Sequence, residues 1–227
     1  MRIQRNWSRL AGFEIFEVAI AGRVSTDADL APLYAAALAE ADASGIASPK
    51  AARNRIWTRD AAMRRRASDA RLIAFSGDRR GASASFVAPE RLPDGIDLVI
   101  DLLAIGGAPA KRVVEYEPRI APPRFVAFGD LVFLSGNTDV SPAFDAQLDV
   151  ICRNIGESLA IAGARWRDIV RVDVFHHKSL DGAKTRAAVN ARFPTSARFT
   201  TVEGYSAPEK LIEIEVTARK EIGRAHV

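Results

Sequence analysis

The chain has 227 residues, of which 48% are hydrophobic and 26% are charged. It is therefore long enough for one large or two small globular domains, and it does not have the composition of a disordered protein. The net charge of +4 favours small anionic partners slightly and does not require nucleic acid. No segment approaches the roughly 18 apolar residues of a membrane span, no signal-type region follows Met1, and the lone Cys152 has no partner for a disulfide. We therefore expect a cytoplasmic protein without a membrane anchor.

The first half of the chain predicts strands and helices in alternation. Phe16–Ile20 has the composition of a strand, and the apolar residues Leu30, Leu33, Ala37 and Leu38 have helical spacing. Residues 96–102 predict the last strand of this half. The small residues of 106–110 then predict a flexible linker.

The second half begins with a predicted hairpin, Phe125–Phe128 and Leu131–Leu134, around a turn at Gly129. A helical stripe from Phe144 to Leu159 follows, and Gly163 is a typical helix terminator. Residues 169–175 alternate like a half-buried strand. A short helix over about 181–191 leads to two final strands.

The two halves repeat one unit. Gly22 matches Gly136 and Ala104 matches Ala218 with the same shift of 114 residues. Each half predicts the order β-β-α-β-α-β-β, so we expect an α+β protein. The predicted domains are a degenerate structural unit at 1–105, a linker at 106–111 and a unit with the site at 112–220.

Residues 221–227 predict a non-native tail. One choice of codons for them reproduces the start of a sequencing-library adapter, and we therefore draw no functional argument from His226.

The basic residues between positions 53 and 71 are interpreted as a solvated helix face and loop. No stacking aromatics alternate with them, as they would on a platform for single-stranded nucleic acid. Trp57, within this stretch, is expected in the core. His176 and His177 are adjacent on a strand and point to opposite faces, so we expect no metal site. The members of the basic stretch are Arg53, Arg55, Arg59, Arg64, Arg65, Arg66 and Arg71.

Arg198 and Glu213 are the leading candidates for catalysis. We expect them on neighbouring strands, where a guanidinium would hold an acidic substrate and a carboxylate would order a water. Alternation along the last strand places Glu213 and Glu215 on the face opposite Ile212 and Ile214. A structural ion pair between the strands is the alternative. The first half has no such pair, because the shift places Ala84 opposite Arg198 and Val99 opposite Glu213.

The second half resembles the Rid/YjgF family of reactive intermediate deaminases, which includes proteins described as L-PSP endoribonucleases. The resemblance is carried by Leu134-Ser135-Gly136, Gln147, Asn154, Ala162-Gly163-Ala164, the run from Asp168 to Phe175, Val189-Asn190, Ala197-Arg198 and Ile212-Glu213-Ile214-Glu215.

This resemblance implies a chorismate-mutase-like unit, in which helices pack on one face of a mixed sheet, and a homo-oligomer, with a trimer as the pattern. It also implies hydrolysis of a 2-imino or 2-enamino acid to a 2-oxo acid and ammonia, without cofactor or metal. Arg198 would anchor the carboxylate and Glu213 would position the water. Gly136, Asn137, Thr200 and Asn190 would contribute to substrate binding.

The chain departs from the family pattern in two places. Residues 120–124 lack the aromatic residue that usually precedes the first hairpin, so a pocket wall is expected to be missing. Only seven residues separate Asn190 from Arg198, so Asn190 is not assured of reaching the site.

The first half is similar to chorismatases, which contain two Rid-like units and hydrolyse chorismate, a dicarboxylate enol ether. The resemblance lies in Arg55-Ile56-Trp57 and Ala74-Phe75-Ser76-Gly77-Asp78-Arg79. A cysteine-arginine pair of those enzymes is replaced here by Glu209-Lys210. Two alternatives to imine hydrolysis therefore stay open: a chorismatase-like hydrolase or lyase, and a non-catalytic ligand- or RNA-binding protein.

Overall fold

The computed structural model describes residues 1–46 and 50–221. Its elements confirm the α+β class and the repeated β-β-α-β-α-β-β order. The first half contains β1 (Arg2–Leu10), β2 (Phe13–Gly22), α1 (Leu30–Ala43), β3 (Ala51–Thr58), α2 (Ala61–Ala74), β4 (Ala82–Val87) and β5 (Leu98–Gly106). The second half contains β6 (Lys111–Val114), β7 (Phe125–Phe128), β8 (Leu131–Leu134), β9 (Asn137–Thr138), α3 (Phe144–Ala162), β10 (Ile169–His177), α4 (Gly182–Asn190), β11 (Arg198–Val202) and β12 (Ile212–Arg219).

Each half builds its own mixed sheet. The first sheet has the order β1-β2-β5-β3-β4, and the main path of the second is β11-β10-β12-β8-β7-β6. In both sheets one pair is parallel, β3 with β4 and β10 with β11, and the other pairs are antiparallel. The strand β6 extends the second sheet beyond the predicted repeat. We refer to the proposed domains 1–105 and 112–220 as the first unit and the second unit.

The helices cover one face of each sheet. In the first unit, Leu33, Tyr34 and Ala37 of α1 pack in one cluster with Ile20 of β2 and Ile100 of β5. In the second unit, α3 packs on β12 and β10, and it ends at Ala162 because Gly163 takes the left-handed conformation (φ 74°). The predicted tail lies outside the described residues from position 222 onward. No described helix is long and apolar enough to cross a membrane.

The backbone registers agree with the shift of 114 residues for β4 and β5, but not for β3. In the first sheet Arg55 of β3 lies between Ala84 and Asp101. In the second sheet Asp173 of β10 lies between Arg198 and Glu215. The matches of Ala84 with Arg198 and of Asp101 with Glu215 follow the predicted shift, whereas the strand between them is displaced by four residues, since Asp173 lies 118 positions after Arg55.

The uncovered faces of the two sheets meet, and aromatic side chains form one part of this contact. Phe86 of β4 stacks on Phe175 of β10 with ring centroids 4.2 Å apart, and Trp57 lies 5.6 Å from Phe175. Such pairs contribute about 0.5–1.5 kcal/mol each beyond the area they bury. Trp57 is only 6% exposed, but it packs in this cluster between the units and not in the core of the first unit, where it was expected.

Beside the aromatic residues lies a buried ionic cluster. Arg55 donates from Nε to Glu215 Oε2 (2.9 Å) and from Nη2 to Asp173 Oδ2 (2.9 Å). Arg53 lies 3.2 Å from Glu215 and donates to the carbonyl oxygens of Leu134 and Val216. The prediction of a solvated face is therefore wrong for Arg53 and Arg55, whose charges are matched by carboxylates of the other unit. Removal of one partner from such a cluster typically costs about 3–5 kcal/mol.

Candidate functional site

The strand β12 presents its side chains as its alternation predicts. Ile212, Ile214 and Val216 belong to the core under α3. Glu213 and Glu215 lie on the other face, and Glu213 lines a cleft of about 400 Å³ between the two units. The contact between the two sheets thus leaves the carboxyl group of Glu213, but not that of Glu215, in the wall of a cavity.

Gly136 makes room for the carboxyl group of Glu213. A Cβ atom at position 136 would lie 1.7 Å from Glu213 Oε1, so no other residue fits without displacing the acid. Gly136 N–H also donates to Ser83 O of β4 (3.3 Å), and Ser83 N–H donates to Ser135 Oγ (3.3 Å). These bonds join the two units beside the acid.

Basic side chains from both units surround Glu213. Arg64, Ser68 and Arg71 follow one another at helical spacing on α2, whose first turn is capped by Asp60, so all three face the cleft. Arg71 is 8% exposed and donates to Ala84 O (2.7 Å). Lys210, just before β12, donates to Ser206 Oγ (2.7 Å). Apart from Glu213, every charged lining residue of the cleft is basic.

Burial and the neighbouring Glu215 raise the pKa of Glu213 to about 8. Lys210, Arg71 and Arg55 oppose the shift without cancelling it. Within the described part of the chain, the Glu213 carboxyl group forms no hydrogen bond or ion pair with another side chain. At neutral pH the group is therefore protonated and free to donate its proton to a molecule in the cleft.

The rest of the lining is mostly polar or small. Tyr116 stands near Ile120, Ala121 and Pro122, so an aromatic wall is present although residues 120–124 lack one. The expectation of a missing wall is wrong, because the aromatic side chain comes from further upstream. Other polar or small residues of the lining are Ser83, Ala84, Ser85, Asn137, Thr138, Asn154 and Ser206.

Three of the six predicted site residues meet in this cleft: Glu213, Gly136 and Asn137. Asn137 is 4% exposed and donates to Ser135 O (2.8 Å). Arg198, Thr200 and Asn190 do not line the cleft. Arg198 is exposed at the start of β11, Thr200 is partly exposed on the same strand, and Asn190 ends α4, where Oδ1 accepts from Ala197 N–H (3.5 Å).

Arg198 and Glu213 are not on neighbouring strands, which corrects that expectation. The strand β10 lies between β11 and β12, and Arg198 pairs with Asp173 whereas Glu213 pairs with Phe175. The strand that faces Glu213 is instead β4 of the first unit. Its residue at the position matching Arg198 is Ala84, so the basic groups of the cleft come from α2 and from Lys210.

Two signals in the sequence point to residues that the prediction missed. Arg64 and Arg71 share one helix face, but they were assigned to solvent with the rest of the basic stretch, and that assignment is wrong for them. Lys210 stands directly before the predicted last strand that carries Glu213, and its charge was the second signal. Among the described residues, no group of three or more His, Cys, Asp or Glu side chains is arranged to hold a metal ion.

Comparison with known proteins gives a family for the second unit. Residues 121–220 match the family model described as Endoribonuclease L-PSP. No curated protein matches the chain.

Similar solved structures include a chorismatase, with a TM-score of 0.65 and 17% identity, over 94% of this chain and 77% of the other. A YjgF-family protein from Mycobacterium tuberculosis (TM-score 0.42, 26% identity) and one from Neisseria meningitidis (TM-score 0.41, 23% identity) each align with 48% of this chain and with 98% and 94% of their own lengths. The likeness to the chorismatase shows that the two-unit fold is shared, and residues 121–220 match the Rid/YjgF (Endoribonuclease L-PSP) family.

Proposed function

We propose that the protein hydrolyses an enol ether that carries carboxylate groups, with Glu213 as the proton donor. The observation that carries this proposal is a buried carboxyl group, unpaired among the described residues and with a raised pKa, in a cleft whose other charged residues are all basic. An enol ether is inert toward neutral water until its outer carbon is protonated, so a buried acid is the group that this reaction requires.

The reaction is balanced with Glu213 alone. Transfer of the Glu213 proton to the outer carbon of the C=C–O group leaves an oxocarbenium ion. A water adds to that ion and loses one proton to the Glu213 carboxylate, and its second proton leaves with the departing alcohol. The products are a 2-oxo acid and an alcohol, and Glu213 is protonated again.

The basic residues of the cleft are placed to hold the substrate. The Arg71 guanidinium is fixed by its bond to Ala84 O and has further N–H groups for a carboxylate. Arg64 is half-buried, and its Nη1 lies 3.5 Å from Ser85 Oγ. Two guanidiniums and the Lys210 amine suit a substrate with more than one anionic group. A cleft of about 400 Å³ also has room for a cyclic acid.

Hydrolysis of a small 2-imino or 2-enamino acid is the second candidate. It is supported by the match of residues 121–220 to the family model and by the presence of Gly136 and Asn137 in the cleft. The same acid would protonate an enamine carbon, after which water adds and ammonia leaves. The position of Arg198 outside the cleft favours the first candidate.

The test is to incubate the protein with chorismate, a cyclic enol ether with two carboxylates, and to separate the products by chromatography. We expect a 2-oxo acid and a cyclic alcohol, formed more than about 100-fold more slowly by Glu213→Gln. Arg71→Gln should lose activity, whereas Arg65→Gln, an exposed arginine of the same helix, should retain it.

An amino-acid oxidase coupled to the protein, with semicarbazide to trap the imine, tests the second candidate. Faster loss of imine together with unchanged chorismate would replace the first candidate by the second. Turnover of neither compound would contradict both.

A further inference from the structure

Two buried carboxyl groups lie close together on one face of β12. Glu213 is 6% exposed and Glu215 is 0% exposed. Side chains two residues apart on a strand point to the same face, about 7 Å from each other. Only Glu213 lines the cleft, so Glu215 lies behind it and does not contact a substrate.

Glu215 is held by the first unit. Its Oε2 accepts from Arg55 Nε and lies 3.2 Å from Arg53 Nε. Its Oε1 is buried and has no hydrogen-bond partner. A carboxylate fixed in this way cannot turn toward solvent, so its charge acts on neighbouring groups through a medium of low polarity.

We propose that Glu215, clamped by Arg53 and Arg55 of the first unit, is a positioning residue that keeps Glu213 in its proton-donating form. Two carboxyl groups at this separation in a buried site do not both ionise easily, and the guanidiniums of Arg53 and Arg55 lie against Glu215. The inference rests on the proposed role of Glu213 as the acid.

The basic groups near Glu213 lower its pKa, whereas Glu215 raises it. Burial is the largest cause of the raised pKa of Glu213, and Glu215 is the second. Basic groups reach the acid from three sides: Arg64 and Arg71 from α2, Lys210 from the segment before β12, and Arg55 from β3. The Tyr205 phenol also interacts with Glu213.

The test is a titration of Glu213 without substrate, by carbon NMR of protein labelled at the glutamate carboxyl carbon, with the Glu213 signal identified by its loss in Glu213→Gln. We expect Glu215→Gln to lower the midpoint by about 1 pH unit, because the like charge is removed. Arg55→Gln should raise the midpoint, because Arg55 lowers the pKa of Glu213 directly and also matches the charge of Glu215.

Arg171→Gln is the matched control. Arg171 bonds Asp173 in the same ionic cluster, at 2.7 Å, but does not contact Glu215. It should leave the Glu213 midpoint unchanged. If Arg55→Gln does not fold, Arg55→Lys, which keeps one charge, should give a smaller upward shift.

The inference is overturned if folded Glu215→Gln titrates within about 0.2 pH units of the wild type. Turnover of an enol ether without these shifts would leave the proposed function intact and remove Glu215 from it. Shifts without turnover would support the effect of Glu215 on Glu213 and contradict the proposed function, since the titration needs no substrate.

Discussion

Val99 of the first unit and Glu213 of the second are matched by the shift of 114 residues, and each lines a cavity, but the two cavities differ in what closes them. The cleft of the second unit, about 400 Å³, has Glu213 in its wall. A hollow of about 410 Å³ on the first unit has Val99 at the matching position. This hollow, which we call the first-unit hollow, is lined by Arg2, Ile3, Gln4, Ala19, Ala21, Trp57, Arg91, Pro93, Val99 and Asp101.

The lining of the first-unit hollow comes entirely from the first unit, whereas α2 and β4 of the first unit close over Glu213 of the second. Burial by a neighbouring unit is what raises the pKa of Glu213. The raised pKa therefore requires both Glu213 and the elements that cover it. The first unit supplies these elements, α2 and β4, but has Val99 in place of the acid.

The largest expected effect comes from the matching glycines of the two units. Gly136→Ala places a methyl group on the Glu213 carboxyl oxygen, and we expect turnover to fall by more than about 100-fold, since small displacements of a reacting group have effects of this size. A Cβ at Gly22 would meet the tip of Leu33, at 2.5 Å, which can move. Gly22→Ala should cost stability, up to about 1–3 kcal/mol, and leave turnover per folded molecule unchanged.

Thermal melts and turnover of the folded fraction check this difference. Gly156→Ala in α3 is the control for the substitution itself, because its Cβ meets nothing within 4 Å and alanine favours a helix by about 1 kcal/mol. Equal loss of turnover in Gly22→Ala and Gly136→Ala would contradict a specific role for the space at Gly136 beside Glu213.

A medium effect is expected in the dependence of stability on pH. Because the pKa of Glu213 is raised from 4.5 to about 8 in the folded protein, the folded state holds a proton that the unfolded state has lost between these values. The stability that Glu213 contributes is thus present below pH 4.5 and falls as pH rises toward 8. Glu213→Gln should remove this decline.

The measurement is the free energy of unfolding in urea at several pH values for the wild type and Glu213→Gln. The difference between the two proteins removes the contribution of the other titrating groups. Val99→Ala, at the matching position, should lower stability by the same amount at every pH. A constant difference between wild type and Glu213→Gln would mean that Glu213 is ionised in the folded protein.

The fold was predictable because it rests on local patterns. Alternation along β12 gave the face of Glu213, and Gly163 ended α3 where expected. The shift of 114 residues matches single residues of β4 and β5, such as Ala84 and Asp101, with Arg198 of β11 and Glu215 of β12. The strand β6 escaped prediction, since four residues that add to a sheet edge have no pattern of their own.

The site was predictable only for residues close to Glu213 in its own unit. Gly136 and Asn137 follow β8, which neighbours β12, and their place follows from the resemblance. Arg64 and Arg71 reach the cleft through the contact between units, which no periodicity encodes. Arg53 is buried and Arg55 half-buried for the same reason, although arginine is typical of a surface.

The smallest expected effect is that of Arg198→Ala. Arg198 is exposed, and within the described residues it forms no hydrogen bond or ion pair. Its removal should change the free energy of unfolding by less than about 0.5 kcal/mol and should leave turnover near the wild-type level. Exposed Arg65 on α2 provides a comparison of equal charge.

The measurement that matters is turnover of Arg198→Ala across a range of protein concentrations. Arg198 occupies the position that Ala84 occupies in the first unit, and Ala84 faces the acid of the other unit. If Arg198 had the same relation to an acid, that acid would belong to another copy of the chain. A loss of turnover in Arg198→Ala that appears only at concentrations where the chain self-associates would therefore contradict a site complete within one chain, and it would restore Arg198 as the carboxylate anchor.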